Sequence, residues 1–163
     1  MGKEQDFTKM VRENEAIIFK ITTMYTNNDQ DQKDLYQDIV YQLWKSFESF
    51  RSESKLSTWM YRVAMNTAIT RFKKSRRNDI TVPIEKVVLR ELDTDDEVTE
   101  DRIKSLYKHI NQLNLLEKGI MLLLLEGKKY EEISEITGLS LTNVGTKISR
   151  IKKKIKKQYS HEG

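Results

Sequence analysis

Apolar residues recur along most of this chain at intervals of three and four. The clearest case is Leu35, Tyr36, Ile39, Val40, Leu43, Trp44 and Phe47, which predicts an amphipathic helix with one buried side. Upstream, Phe7, Met10, Val11, Ile17, Ile18, Ile21 and Tyr25 predict one or two helices, and Asn27, Asn28 and Asp29 a turn. Leu56, Trp59, Met60, Val63, Ala64 and Phe72 mark a further helix, with Ser57 as its expected cap. Trp44 and Trp59 fall on apolar stripes, which favours a core role over base stacking. In the second half, Ile103, Leu106, Tyr107, Ile110 and Leu113 form one stripe. Residues 116–125 read as a strongly apolar helix closed by Gly127, and 130–136 as a short helix. A tight turn, Thr137-Gly138-Leu139-Ser140, leads into a long basic helix from Leu141 to about Gln158.

Between the halves, residues 78–99 lack a sustained stripe and hold the only proline, Pro83, although 84–92 can form a short helical turn. The expected fold is all-α. Two small helical domains, 1–78 and 99–163, are joined by a flexible acidic linker at 79–98.

Composition narrows the chemistry. The 163 residues suffice for one compact domain or two small ones. With no cysteine, disulfides and Cys-based zinc sites are excluded and a reducing cytoplasm is expected. His109 and His161 are the only histidines, so a histidine-rich metal centre is excluded and a Ser-His-Asp triad would rest on His109. The longest apolar run, 120–125, is far short of a bilayer span, and 1–10 has no signal-peptide core, so no membrane insertion is expected. The glycines never bunch into a phosphate-binding loop.

Charge is segregated. The net charge is only +4, but 71–77 holds five basic residues, 91–101 seven acidic ones with no base, and 147–157 seven basic ones with no acid. Two basic blocks about an acidic tether suit two nucleic-acid-facing modules; solvated charged faces give the same pattern.

The segment 129–150 has the chemistry of a helix-turn-helix. Gly138 supplies a left-handed residue that ends the first helix, Leu139 plugs the angle, and Ser140 caps the second. Ile133 and Ile136 face the core from the first helix, and Val144, Ile148, Ile151 and Ile155 from the second. At 100° per residue, Thr142, Thr146, Ser149 and Lys153 then lie roughly opposite Val144, flanked by Asn143, Lys147 and Arg150. Short hydrogen-bonding groups near the helix start, with cations beyond, suit base edges and phosphates. A helical hairpin without a DNA role is the plainer alternative. Gly145 disfavours the helix; it permits close approach to DNA or is merely tolerated.

In the first half, Asp34, Gln37, Asp38, Tyr41 and Gln42 occupy the polar side of their helix. Acidic and amide groups there would repel DNA and suit a basic protein partner; an ordinary solvated face fits as well. The helix from Leu56 exposes Arg62, Asn66, Thr70 and Lys73, with Arg77 beyond, a face fit for phosphates and unpaired bases. The polar loop 51–55 can shape a pocket at its end.

Taken together, the chain resembles a short, extracytoplasmic-function sigma factor of bacterial RNA polymerase. The resemblance spans nearly the whole chain. It rests on Asp34-Leu35-Tyr36-Gln37-Asp38, on Leu56-Ser57-Thr58-Trp59-Met60-Tyr61-Arg62-Val63-Ala64-Met65-Asn66, and on Tyr130-Glu131-Glu132-Ile133 leading into the helix-turn-helix. It implies a transcription initiation factor without catalytic residues or cofactor, acting on core polymerase (beta-prime and beta subunits) and promoter DNA, with an anti-sigma protein as a further candidate partner. Asp34, Gln37, Asp38 and Tyr41 would contact polymerase. Arg51, Ser52, Ser54, Lys55, Arg62, Asn66, Thr70 and Lys73 would serve the minus-ten element, capturing a flipped base at a cost of a few kcal/mol in unstacking. Thr142, Asn143, Thr146, Lys147, Ser149, Arg150 and Lys153 would serve the minus-thirty-five element. The acidic tether would thread the polymerase channel as nascent RNA does.

Departures from the family pattern blur the promoter sequence. Arg62 and Val63 stand where housekeeping sigma factors carry adjacent tryptophans, implying weaker melting and stricter promoter choice. The group often has Asp at Thr70, Pro near Asn114-Leu115 and a basic residue at Gly145.

Two other classes lack their signatures. A response-type regulator needs an α/β receiver with Val/Ile-rich strands ending in Asp pairs. A serine recombinase needs an early nucleophilic serine among arginines, whereas 1–45 holds no serine and only Arg12.

Overall fold

The computed structural model describes residues 2–50, 54–74 and 113–162, with side chains to 73 in the second stretch and to 157 in the third. Every regular element among them is helical. The chain divides into two compact units, Met1–Ile80 and Thr81–Gly163. The linker at 79–98, the stripe from Ile103 to Ile110, Pro83, His109 and Arg77 lie outside the described residues.

In the first unit, α1 (Lys3–Glu13) and α2 (Glu15–Tyr25) break at Asn14, whose Nδ2 donates to the Met10 carbonyl at 2.8 Å. The anticipated turn is the cap of α3 (Asp29–Ser46): Asn28 Oδ1 accepts the Asp31 N–H at 2.8 Å. A 3-10 turn, Phe47–Ser49, follows, and then α4 (Leu56–Lys74). Helices α2, α3 and α4 pack on one another, with Ile18, Ile21, Tyr25, Leu35, Ile39, Leu43, Met60 and Ala64 fully buried. Each large apolar side chain so removed from water contributes about 1.5–3 kcal/mol before conformational entropy is charged against it. Threonines at the inner end of α2 keep this core satisfied: Thr26 donates to the Thr22 carbonyl at 2.6 Å, and Gln32 Nε2 reaches Thr23 at 3.0 Å.

Three expectations need correction. Ser57 is the second residue of α4, not its cap; the first intrahelical bond runs from the Trp59 N–H to the Lys55 carbonyl at 3.1 Å. Ile155, expected on the buried stripe of the last helix, is half-buried. Trp59 is core, stacked on Phe50 at 4.8 Å, but Trp44 sits at the core's edge. Its ring meets Phe7 edge-on at 5.0 Å, and the Lys3 ammonium lies 4.5 Å from its centre.

In the second unit, α5 (Leu115–Leu125), α6 (Tyr130–Thr137) and α7 (Leu141–Glu162) pack mutually. Helix α5 opens with a reciprocal cap: Asn114 Oδ1 accepts the Glu117 N–H at 2.8 Å, and Glu117 Oε1 accepts the Asn114 N–H at 3.1 Å. Gly127 and Gly138 both stand at φ +79°, the left-handed region that favours glycine. Leu122, Ile133, Ile136, Val144, Ile148 and Ile151 form the core. Helix α5 also buries Lys118 at 3% exposure, which its apolar reading passed over. Burial lowers that ammonium's pKa to about 8.

Candidate functional site

Three faces carry the candidate residues. On α3, burial of Leu35, Ile39 and Leu43 turns Gln37, Asp38 and Tyr41 outward, with Asp34 half-buried beside them. Gln30 Nε2 donates to Asp34 at 3.0 Å. Tyr41 is the most exposed large apolar side chain among the described residues, at 57%. Lys45 places its ammonium 5.4 Å from the Tyr41 ring. Tyr41 also lines a shallow groove of about 390 Å³ between α1 and α3, with Phe7, Val40 and Trp44. Burial, and then the charge of Glu15, raise the pKa of Tyr36 above the ordinary phenol value.

On α4, Asn66, Thr70 and Lys73 are exposed in a row and Arg62 is half-buried at its head. Ser54 and Lys55 lead into the helix, the first half-buried and the second exposed; Arg51 and Ser52 lie outside the described residues. The α3 and α4 faces are tied by an ion pair, Arg71 Nη1 donating to Asp38 Oδ2. Sequence reasoning assigned Arg71 only to a basic block. Its partner lies 33 residues away, and no local pattern marks such a pair.

On α7, Val144, Ile148 and Ile151 are inside, and Thr142, Asn143, Thr146, Ser149, Arg150 and Lys153 are exposed. Lys147 is half-buried at the margin. Ser140 caps this helix as expected, accepting the Asn143 N–H at 3.2 Å. The Thr146 hydroxyl donates to the Thr142 carbonyl at 3.0 Å, so it meets an incoming group as an acceptor. Gly145 has nothing within 4 Å of where a Cβ would stand, so packing inside the unit does not require glycine there. Further along, Lys154 pairs with Glu117 at 3.0 Å and braces α7 against α5. The Asn114-x-x-Glu117 pattern that would have flagged this corner is visible in the sequence.

A capped helix-turn-helix with a polar and cationic outer face, preceded by a separate helical unit with an acid-amide face, defines a DNA-binding transcription factor. The family comparison is more specific. The description "Sigma-70 region 2" matches residues 10–78, and "Sigma-70, region 4" matches 103–155. The chain belongs to the sigma-70 family of RNA polymerase sigma factors, in its extracytoplasmic-function group. Among curated relatives, it is 28% identical to the ECF RNA polymerase sigma-E factor of Haemophilus influenzae, over 94% of this chain and 87% of that one. It is 26% identical to the RNA polymerase sigma factor SigV of Bacillus subtilis, over 88% and 85%. The fold matches that of CnrH, solved in complex with the cytosolic domain of CnrY, at TM-score 0.66 and 15% identity, covering 99% of this chain and 92% of that one. It also matches the sigma factor RpoE of Bartonella quintana, solved with the anti-sigma factor NepR, at TM-score 0.62 and 16% identity, covering 96% of both. The protein is a sigma factor: it binds core RNA polymerase and directs promoter-specific initiation at the minus-thirty-five and minus-ten elements.

Proposed function

We propose that the two halves divide this work as follows. Residues 1–78 bind core polymerase and the minus-ten element, 99–163 bind the minus-thirty-five element, and 79–98 link them. Asp34, Gln37, Asp38 and Tyr41 contact polymerase through the outer face of α3. Arg62, Asn66, Thr70 and Lys73 on α4, with Arg51, Ser52, Ser54 and Lys55 before it, hold the melted strand. Thr142, Asn143, Thr146 and Ser149 meet base edges of the upstream element, while Lys147, Arg150 and Lys153 hold its phosphates. The chain carries no catalysis of its own; the chemistry belongs to the polymerase it directs. It works in the cytoplasm; among the described residues no helix is long and apolar enough to cross a membrane. An anti-sigma protein is a natural regulator, since the Bartonella quintana relative of the same fold was solved with one.

The observation that carries this reading is the buried stripe of α7. With Val144, Ile148 and Ile151 at 0–1% exposure, the helix has one side left for DNA, and that side holds the short polar groups and cations. Run-off transcription with core polymerase lacking its own specificity subunit tests it. The full chain should restore promoter-specific transcripts. Alanine at Asp34, Gln37 and Asp38 together should abolish them by weakening holoenzyme assembly. Arg150→Ala and Lys153→Ala should each flatten the salt dependence of promoter binding by roughly one phosphate contact. Unaltered slopes remove those two side chains from the interface.

A further inference from the structure

We propose that Arg71 is a positioning residue for polymerase binding, holding the Asp38 carboxylate in the orientation that the polymerase takes. The inference rests on the reading of Asp38 as a polymerase contact. Arg71 follows the buried positions Ala64, Met65 and Ala68 along α4, so it stands at the border where α4 meets α3. Its guanidinium crosses that border to Asp38, the two side chains being 35% and 50% exposed. Only Oδ2 takes the guanidinium in this pair, which leaves Oδ1 to a partner.

Two physical consequences follow. Asp34 stands four residues before Asp38, and like charges at that spacing disfavour a helix. Arg71 places a cation beside Asp38 and so offsets that like-charge repulsion on the face. It also holds Asp38 against the side of α4, so that less side-chain freedom is lost when the polymerase docks. The acidic face proposed for polymerase is therefore built by two helices, of which α3 contributes the acid and α4 its orientation.

Titration of the full chain against core polymerase tests this with D38N, R71A, R71K and the double variant D38N/R71A. D38N should weaken binding. R71A should weaken it by about two- to fivefold, the range an exposed ion pair spans, and R71K should recover part of the loss. In the D38N background, R71A should add nothing, a readout that a general packing role would not reproduce. Unchanged or tighter binding by R71A overturns the inference while leaving Asp38 at the interface. An equal loss in both backgrounds also overturns it, making Arg71 a contact in its own right. If D38N has no effect, Asp38 leaves the interface and the underlying reading fails with the inference.

Discussion

The two units reach their working surfaces by different means. In the first, helices pack on broad faces, and the polar faces are what packing between distant segments leaves outside. Its acidic face depends on Arg71 and its α1 edge on Lys3, whose ammonium meets Glu48 at 2.8 Å, 45 residues on. In the second, a local device sets each helix end: the Asn114–Glu117 cap, Gly127, Gly138 and Ser140. The helix proposed to read DNA is aimed by turn chemistry a few residues away, so its outer face follows once the turn and the buried stripe are set. A surface built locally changes through its caps; a surface built by packing changes through partners far off in sequence.

The largest test asks whether the second unit's devices suffice without its stripe. Ile148→Ala should cost about 3 kcal/mol, since Ile148 is 1% exposed in the centre of that core. Equilibrium denaturation measures it; a loss below about 1 kcal/mol would mean that caps outweigh the core. Lys118 gives the next effect. Burial holds its pKa near about 8, so below that pH the folded and unfolded chains both carry its proton and the burial penalty is felt in full. Between about 8 and 10.5 the unfolded chain binds more protons than the folded one, and stability therefore rises with pH. Relative to Lys118→Met, the wild-type chain should gain about 2 kcal/mol across that window. Parallel pH dependences of the two proteins would contradict it.

The same contrast explains what could be read in advance. The helix-turn-helix was legible down to the glycine, the capping serine and the buried isoleucines, because each signal lies within a few residues of what it controls. The helices of the first unit were legible from periodicity, as were the outward positions on α3 and α4, apart from Asp34, Gln42 and Arg62, which packing half-buries. The Asp38–Arg71 and Lys3–Glu48 pairs were not, because only the packed fold brings their partners together. Lys118 was hidden for a different reason: a lysine in an apolar run reads as one whose head escapes to water. The start of α4 was misread because Ser57 looks like a cap, whereas the Lys55 carbonyl takes the first helical bond.

Two glycines of the second unit separate turn chemistry from helix propensity. Neither has an atom within 4 Å of the place a Cβ would take, so neither is held by crowding. Gly138→Ala should destabilise by about 1–2 kcal/mol through left-handed backbone strain alone. Gly145→Ala, inside α7, should stabilise by about 1 kcal/mol. Thermal unfolding of the pair gives the signs. Promoter affinity of Gly145→Ala then decides its role: a more stable protein that binds promoter more weakly marks a close approach to DNA, and unchanged affinity marks a tolerated residue.

The smallest effect compares one device in both units. Asn28 and Asn114 cap α3 and α5 with the same bond, each side-chain oxygen accepting a backbone N–H at 2.8 Å. They differ three residues later. Glu117 is long enough to return to the Asn114 N–H, closing the box, and it also takes Lys154. Asp31 is one methylene shorter and takes the Asn28 side-chain amide at 3.0 Å instead. Asn114→Ala removes the acceptor of the Glu117 N–H, and Glu117 is 7% exposed, so water replaces the bond poorly and the loss should be about 1 kcal/mol. Asn28→Ala frees the N–H of the exposed Asp31, which water rehydrates, and should cost about 0.5 kcal/mol. Denaturation midpoints of the two variants measure the gap. Equal losses would show that burial of the capped N–H adds nothing, and that the second unit leans on its local devices no more than the first.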